Sequence, residues 1–219
     1  MRNLSECRLY GILNLGYVEA SDALRVTNAM IEGGVDVIQM RGKRQSIDEL
    51  TDMAAVLHNL SSQSSTPLIA NDHAEVARRV AVEGVHIGQD DASIEMVRAA
   101  VGREILVGKS THSLAQASAA QEEGADYIGF GPLFATPTKP DYRPIGLQDI
   151  EQVHREVSAP IFCIGGIKLE NLEQVIAAGA QRVVIVSGLL EAPDIAKYAR
   201  EARRLLGTQW KIEDRKSAI

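Results

Sequence analysis

Two short polar runs hold the densest chemistry in this chain. The apolar run Pro67-Leu68-Ile69-Ala70 ends in Asn71-Asp72, and Gly84-Val85-His86-Ile87-Gly88 ends in Gln89-Asp90-Asp91. On neighbouring parallel strands, both tails would emerge at one edge of a sheet, where α/β folds collect their ligands. Carboxylates at that density repel each other unless a proton or a cation sits between them, and their hard oxygens suit a magnesium ion holding phosphates. The ordinary alternative is that Asp72 caps the helix after it and that Asp90 or Asp91 caps the next.

Other apolar runs end in equally polar tails. Gln39-Met40-Arg41-Gly42-Lys43 points Gln39, Arg41 and Lys43 the same way by strand alternation, so an amide, a guanidinium and an ammonium converge as a diphosphate site would require. A solvated basic loop is the plainer alternative. In Gly108-Lys109-Ser110-Thr111-His112-Ser113, Ser110 is a candidate ligand contact, Ser113 is placed to cap a helix over 115–121, and His112, beside that helix start, is read as structural. Thr136-Pro137-Thr138-Lys139 sets two hydroxyls and an ammonium in one loop, either a phosphate-contacting flap or a Thr/Pro turn. Gly165-Gly166 and Val186-Ser187-Gly188 let the backbone come close to a phosphate, as the last two loops of phosphate-binding barrels do. There are then two anion sites, one cationic with paired acids and one rich in glycine, an arrangement that suits transfer between a diphosphate and a monophosphate substrate.

The elements that must position these tails are strand-like runs at 9–13, 35–40, 67–70, 85–88, 105–107, 127–129, 160–164 and 183–186, alternating with amphipathic helical patterns. Ile47, Leu50, Met53, Ala54 and Leu57 form one helical stripe behind the N-cap Ser46. A single helix is expected over 75–83. Gly34, Gly84, Gly124 and Gly179 are each expected to end a helix in a left-handed C-cap before a strand. Eight such units without a G-x-G-x-x-G turn after the first strand predict an α/β fold of the (β/α)8 TIM-barrel type, one domain over 1–206 followed by a polar tail over 207–219.

Composition narrows the function classes. The net charge of −6 argues against a nucleic-acid surface, no apolar run approaches a membrane span, and two cysteines make no disulfide framework. Cys163, within Ile161-Phe162-Cys163-Ile164, reads as a small core residue. A cytoplasmic protein with small-molecule substrates is expected, with neither nucleic acid nor membrane as partner and with homo-oligomerisation left open.

In their order along the chain, these motifs resemble the thiamine phosphate synthase family. The resemblance covers Gln39 to Lys43, Asn71-Asp72, the 84–91 run, Ser110-Thr111-His112, Gly131-Pro132 through Lys139, Ile164-Gly165-Gly166-Ile167 and Val186-Ser187; Asn14 departs from an acidic residue common near the first strand's end. It implies magnesium, one ion per subunit, held by Asp72 and Asp91. It further implies pyrimidine diphosphate binding by Gln39, Met40, Arg41, Gly42, Lys43, Asn71, Ser110 and Lys139, with Arg41, Lys43 and Lys139 catalytic, and thiazole phosphate binding by Thr136, Pro137, Thr138, Gly166, Val186 and Ser187. A thiazole tautomerase and a non-catalytic thiamine-precursor-binding regulator of the same fold are the alternatives.

Overall fold

Apolar runs that are not interrupted by polar residues make strands buried on both faces, as parallel strands under helices are. The computed structural model describes residues 3–136 and 142–216. Among these residues the strands β1 (Leu9–Asn14), β2 (Val37–Arg41), β3 (Leu68–Asn71), β4 (Gly84–Ile87), β5 (Leu106–Thr111), β6 (Tyr127–Phe130), β7 (Ile161–Cys163) and β8 (Val183–Ile185) pair in sequence order, all parallel. Leu9 of β1 stands opposite Val183 of β8, which closes the barrel. Helices α1 (Ala23–Glu32), α2 (Ile47–Gln63), α3 (Ala74–Val80), α4 (Ile94–Val101), α5 (Leu114–Glu122), α6 (Ile150–Glu156), α7 (Leu169–Ala177), α8 (Ser187–Leu190) and α9 (Ile195–Lys216) surround it. The single-domain (β/α)8 barrel expected from the alternation is therefore the fold, and each strand-like run lies where a strand forms. The polar segment beyond Leu206 enters α9, whose backbone is helical to Lys216.

Alternation along the strands divides the apolar residues between two cores. Tyr10, Ile12, Val37, Ile69, Tyr127 and Phe162 fill the barrel interior, while Leu9, Leu13, Ile38, Met40, Val85 and Ile128 face the helices. Caps match the sequence signals. Ser46 and Glu49 form a reciprocal capping box on α2, and the Ser113 hydroxyl accepts from Gln116 N at the start of α5.

At the rim where strands begin, an acid directly before each of three even-numbered strands reaches the backbone of the strand before it. Asp36 accepts from Arg8 N and Leu9 N at 2.8 and 3.0 Å, Glu83 from Leu68 N at 2.8 Å, and Asp126 from Val107 N at 2.6 Å. Each acid also has a basic partner: Arg203 for Asp36, His58 for Glu83 and Arg98 for Asp126.

The chain departs from expectation around Gly84. Gly34, Gly124 and Gly179 have φ of 82°, 92° and 99°, the left-handed C-caps their spacing implied. Gly84 is instead the first residue of β4. The helix expected over 75–83 stops at Val80, and Ala81 takes the left-handed conformation with φ 58°. Glycine is needed at 84 for room, because a Cβ there would stand 2.6 Å from Ile69 Cδ1. Cys7 and Cys163 are buried and form no disulfide, and burial pushes the Cys163 thiol up to about 12. No helix among the described residues is long and apolar enough to cross a membrane.

Asp36 is fully buried, so its removal takes the acceptor from two backbone N–H groups and leaves Arg203 with the Gly34 carbonyl but no counter-charge there. Asp36→Ala is expected to cost about 3–5 kcal/mol in urea unfolding, whereas Arg25→Ala, which breaks an exposed pair with Asp22, should change stability by less than about 0.5 kcal/mol. Equal effects would show that the lower-rim acid does not hold the barrel.

Candidate active site

Parallel strands deliver their C-terminal residues to one mouth, and β2, β3 and β4 deliver the charged ones. Lys43, just past β2, donates to Asp72 Oδ2 at 2.7 Å. Asp72 follows β3 with φ 63°, held there by its N–H donating to the His86 carbonyl at 2.8 Å. Its carboxyl is also within hydrogen-bonding reach of Asp91 and of Asn71. Burial raises the Asp72 carboxyl, and the hydrogen bond and charge of Lys43, with Asp91 and Asn71, outweigh that and leave it below the ordinary carboxylate value. Arg41, at the end of β2, donates to Asn14 Oδ1 at 3.3 Å, and burial lowers its guanidinium against the opposing pull of Asp72 and Tyr17.

The capping alternative for these acids is not realised. The N-cap of α3 is His73 and that of α4 is Ser93, whose hydroxyl accepts from Met96 N. Asp91 Oδ2 instead accepts from Gly88 N at 2.7 Å, which turns its carboxylate back toward the strand end. Asp90 is engaged elsewhere, accepting from the Tyr142 hydroxyl at 3.4 Å.

The opposite side of the mouth is shaped by glycine. Gly165 and Gly166 have φ of 101° and 65°, and a Cβ on Gly166 would lie 2.7 Å from Phe134 Cβ. Only glycine takes both the left-handed turn and the close approach. The loop after β6 leans on this turn, with Leu133 N donating to the Ile164 carbonyl and Phe134 N to that of Gly165, at 2.8 and 3.0 Å. This brings Phe134 and Ala135 against Gly166, with Thr136 lining the same pocket.

One pocket joins the two sides. Its lining includes Gln39, Arg41, Asn71, Ser110, Thr136, Gly166, Val186 and Ser187 of the residues singled out from sequence. Lys43, Asp72 and Asp91 connect to its edge through the contacts above. Met40 lies in the outer core, 3% exposed, and Gly42 lies against Gln45 and Leu50. Pro137, Thr138 and Lys139 lie outside the described residues.

Reading by strand ends gave no part in the chemistry to several polar side chains at this mouth and pocket, His86 among them. His112 lines the pocket, its Nδ1 bonded to the Gly131 carbonyl and its ring 4.6 Å from that of Tyr142. Asn14 carries the Arg41 contact. Tyr10 and Tyr127 form part of the pocket floor from within strands whose apolar runs gave no sign of a polar role. An inward-pointing Tyr on an otherwise aliphatic strand was the available signal, since its hydroxyl must find a partner when buried.

A closed (β/α)8 barrel with basic and acidic groups gathered on one side of the strand C-terminal mouth and glycine turns on the other is built as a barrel enzyme. Residues 9–189 match the family model described as thiamine monophosphate synthase. The chain is 39% identical over 205 residues to the thiamine-phosphate synthase of Chloroflexus aurantiacus, covering 93% of this chain and 94% of that one. It is 41% identical over 193 residues to the Halalkalibacterium halodurans protein of the same name, covering 88% and 92%. The solved thiamine phosphate pyrophosphorylase from Pyrococcus furiosus superposes with a TM-score of 0.86 at 28% identity, over 94% of this chain and 98% of that one. The chain belongs to the thiamine monophosphate synthase family.

The Lys43–Asp72 contact has a titration consequence. A carboxyl that titrates lower folded than unfolded contributes stability that is fully present above about 3.9 and is lost as pH falls through its folded value. Lys43→Ala is expected to raise the Asp72 carboxyl and to lessen that acid loss, read by carboxyl NMR titration. An unmoved Asp72 titration would remove Lys43 as the controlling partner.

Proposed function

We infer that this chain is a thiamine phosphate synthase, a transferase that joins 4-amino-2-methyl-5-(diphosphooxymethyl)pyrimidine to 4-methyl-5-(2-phosphoethyl)thiazole, or to its carboxylated precursor, giving thiamine phosphate and diphosphate. Besides the family, one observation carries the residue roles: Arg41, Lys43, Asp72 and Asp91 come together on the side of the mouth facing Gly166 and Ser187, with Gln39, Asn71 and Ser110 lining the pocket between them.

The reaction breaks the methylene C–O bond, whose electron pair leaves with diphosphate, and forms a bond from the thiazole nitrogen to the same carbon. Positive charge left on the methylene spreads into the aminopyrimidine, so no nucleophilic side chain is needed. Arg41, Lys43 and Lys139 would meet the charge growing on the leaving group, as preorganised electrostatic stabilisation. Asn71, Gln39 and Ser110 would hold the pyrimidine, together with the Met40-Gly42 backbone. Thr136, Pro137, Thr138, Gly166, Val186 and Ser187 would hold the thiazole phosphate so that its ring nitrogen lies near the methylene, which converts a bimolecular encounter into a positioned one.

Asp72 and Asp91 fit a magnesium site by donor type. Both offer hard oxygens within hydrogen-bonding reach of each other. Among the described residues no group of three or more His, Cys, Asp or Glu could hold a metal, so two carboxylates would leave the other positions to diphosphate and water, the usual arrangement for this ion. Bound there, magnesium would supply positive charge to the departing diphosphate. The reading takes the enzyme as cytoplasmic, with small molecules as its partners.

Diphosphate release from the two substrates, with and without magnesium, separates this activity from tautomerisation, which releases none, and from binding alone. Asp91→Ala is expected to stay folded and to lose magnesium-dependent turnover; undiminished activity of that variant at low magnesium would remove Asp91 as a ligand. Lys139→Ala is expected to lower kcat by ~10²–10³, a larger effect than on the KM for thiazole phosphate. Wild-type turnover in that variant would take Lys139 out of the mechanism.

A further inference from the structure

A continuous chain of hydrogen bonds crosses the inside of the barrel beneath the pocket and links two residues that the function above already uses. Gln39 Nε2 donates to the Tyr10 hydroxyl at 2.9 Å, and the Tyr10 and Tyr127 hydroxyls are 3.2 Å apart. The Tyr127 hydroxyl is 3.2 Å from His86 Nδ1, and His86 Nε2 is 2.9 Å from Ser110 Oγ. The links come from β2, β1, β6, β4 and β5 in turn, so none of them is local in sequence.

With Gln39 Nε2 as the donor at one end, one polarity gives every proton along the chain a partner. Burial raises both phenols above their ordinary value, so each keeps its single proton through the neutral range. The Tyr10 oxygen accepts from the Gln39 amide, which leaves its own proton for Tyr127. Tyr127 then donates to His86 Nδ1, which places the imidazole proton on Nε2, and that proton goes to Ser110 Oγ. The Ser110 proton is left to be donated into the pocket, while Gln39 Oε1 is left as an acceptor. Reversing one link alone would ask one proton to serve two acceptors, set two donors against each other or leave a proton with no acceptor, each a costly fault in a buried network. The fold makes room for this arrangement. Gly108 stands opposite Tyr127 in the β5–β6 register, and a Cβ on it would lie 2.1 Å from Tyr127 Cζ.

We propose that His86 is a positioning residue for the pyrimidine: through Nε2 it holds Ser110 as a hydrogen-bond donor, and through Tyr127 and Tyr10 it ties that donor to the Gln39 amide. An aminopyrimidine presents a ring-nitrogen acceptor beside an exocyclic N–H donor. A fixed donor and a fixed acceptor at the two ends of the chain set the tilt of that ring, and with it the direction in which diphosphate leaves. The proposal rests on the synthase reading.

Steady-state kinetics of diphosphate release test it, with folding followed by circular dichroism. His86→Phe keeps a ring and removes both nitrogens; kcat is expected to fall by ~10–100-fold, as when an orienting outer-shell partner is lost, with the KM for thiazole phosphate unchanged. His86→Gln, which carries an acceptor and a donor on one amide, should recover several-fold of that loss. Tyr127→Phe cuts the same chain one link away, so the Tyr127→Phe/His86→Phe double variant should be no slower than the slower single variant. Wild-type kcat in His86→Phe, or losses that multiply in the double variant, would overturn the proposal. Should His86→Phe fail to fold, Tyr127→Phe decides: wild-type kcat there overturns it equally. A wild-type protein that releases no diphosphate from the two substrates would sink the synthase reading instead.

Discussion

A closed parallel barrel leaves the first backbone N–H groups of its strands at a buried rim with no ladder partner, and each one unanswered costs about 1–3 kcal/mol. Asp36, Glu83 and Asp126 supply the missing acceptors, one before each of three even strands and each reaching back to the strand before. Their side chains do more than accept a bond, because each is itself held by a base from an outer helix, Arg203, His58 or Arg98. The helix layer and the sheet are thereby locked at the same points. A one-residue slip between neighbouring strands would exchange inward and outward side chains, so the register held at the lower rim decides which side chains reach the upper mouth.

At that mouth the logic is reversed: charge is gathered where stability alone would disperse it. Asp72 has φ 63°, a conformation that L residues rarely adopt, and two carboxyls stand within reach of each other. Backbone strain of this kind costs of the order of 1–3 kcal/mol and persists where the surroundings over-determine it. Here the surroundings are the Lys43 ammonium and the His86 carbonyl. The Lys43 ammonium answers the Asp72 charge, so the acids and the bases that the proposed reaction would call on stand together on one side of the mouth.

Much of the fold was legible because a parallel barrel writes itself as uninterrupted apolar runs with polar ends, and the strand-end rule placed Gln39, Arg41, Asn71, Asp72, Asp91, Ser110, Gly166 and Ser187 at the barrel mouth, where they stand. What was not legible depends on closure. Gly84 looks like Gly34 and Gly124 in sequence, yet it serves side-chain room beside Ile69, and the left-handed turn moves three residues earlier to Ala81. No local pattern distinguishes those two uses of glycine. Tyr10, His86 and Tyr127 sit on three strands, and their contacts exist only once β1, β4 and β6 are placed around one axis. Asn14 was set aside as a departure from an acidic position, whereas the register Asn14↔Arg41 places it beside the guanidinium it accepts from.

The floor of the pocket bears on why such residues are there at all. Barrel interiors are usually filled by layers of branched aliphatic side chains, and aliphatic residues at positions 10, 86 and 127 would avoid burying hydroxyls and an imidazole, which costs free energy unless every polar atom is paired. Phe162 shows how the aromatic layer packs: its ring meets Tyr10 and Tyr127 edge-on, with centroids 5.3 and 5.8 Å apart. Those contacts need rings but not hydroxyls, so packing alone would be satisfied by phenylalanine at both positions. The hydroxyls are accounted for by what they join, a Gln39 amide and a Ser110 hydroxyl that both face the pocket. A polar layer placed between an apolar lower core and the site, with each proton assigned to a partner, specifies orientation, and a reaction whose bond-breaking has a direction has use for that.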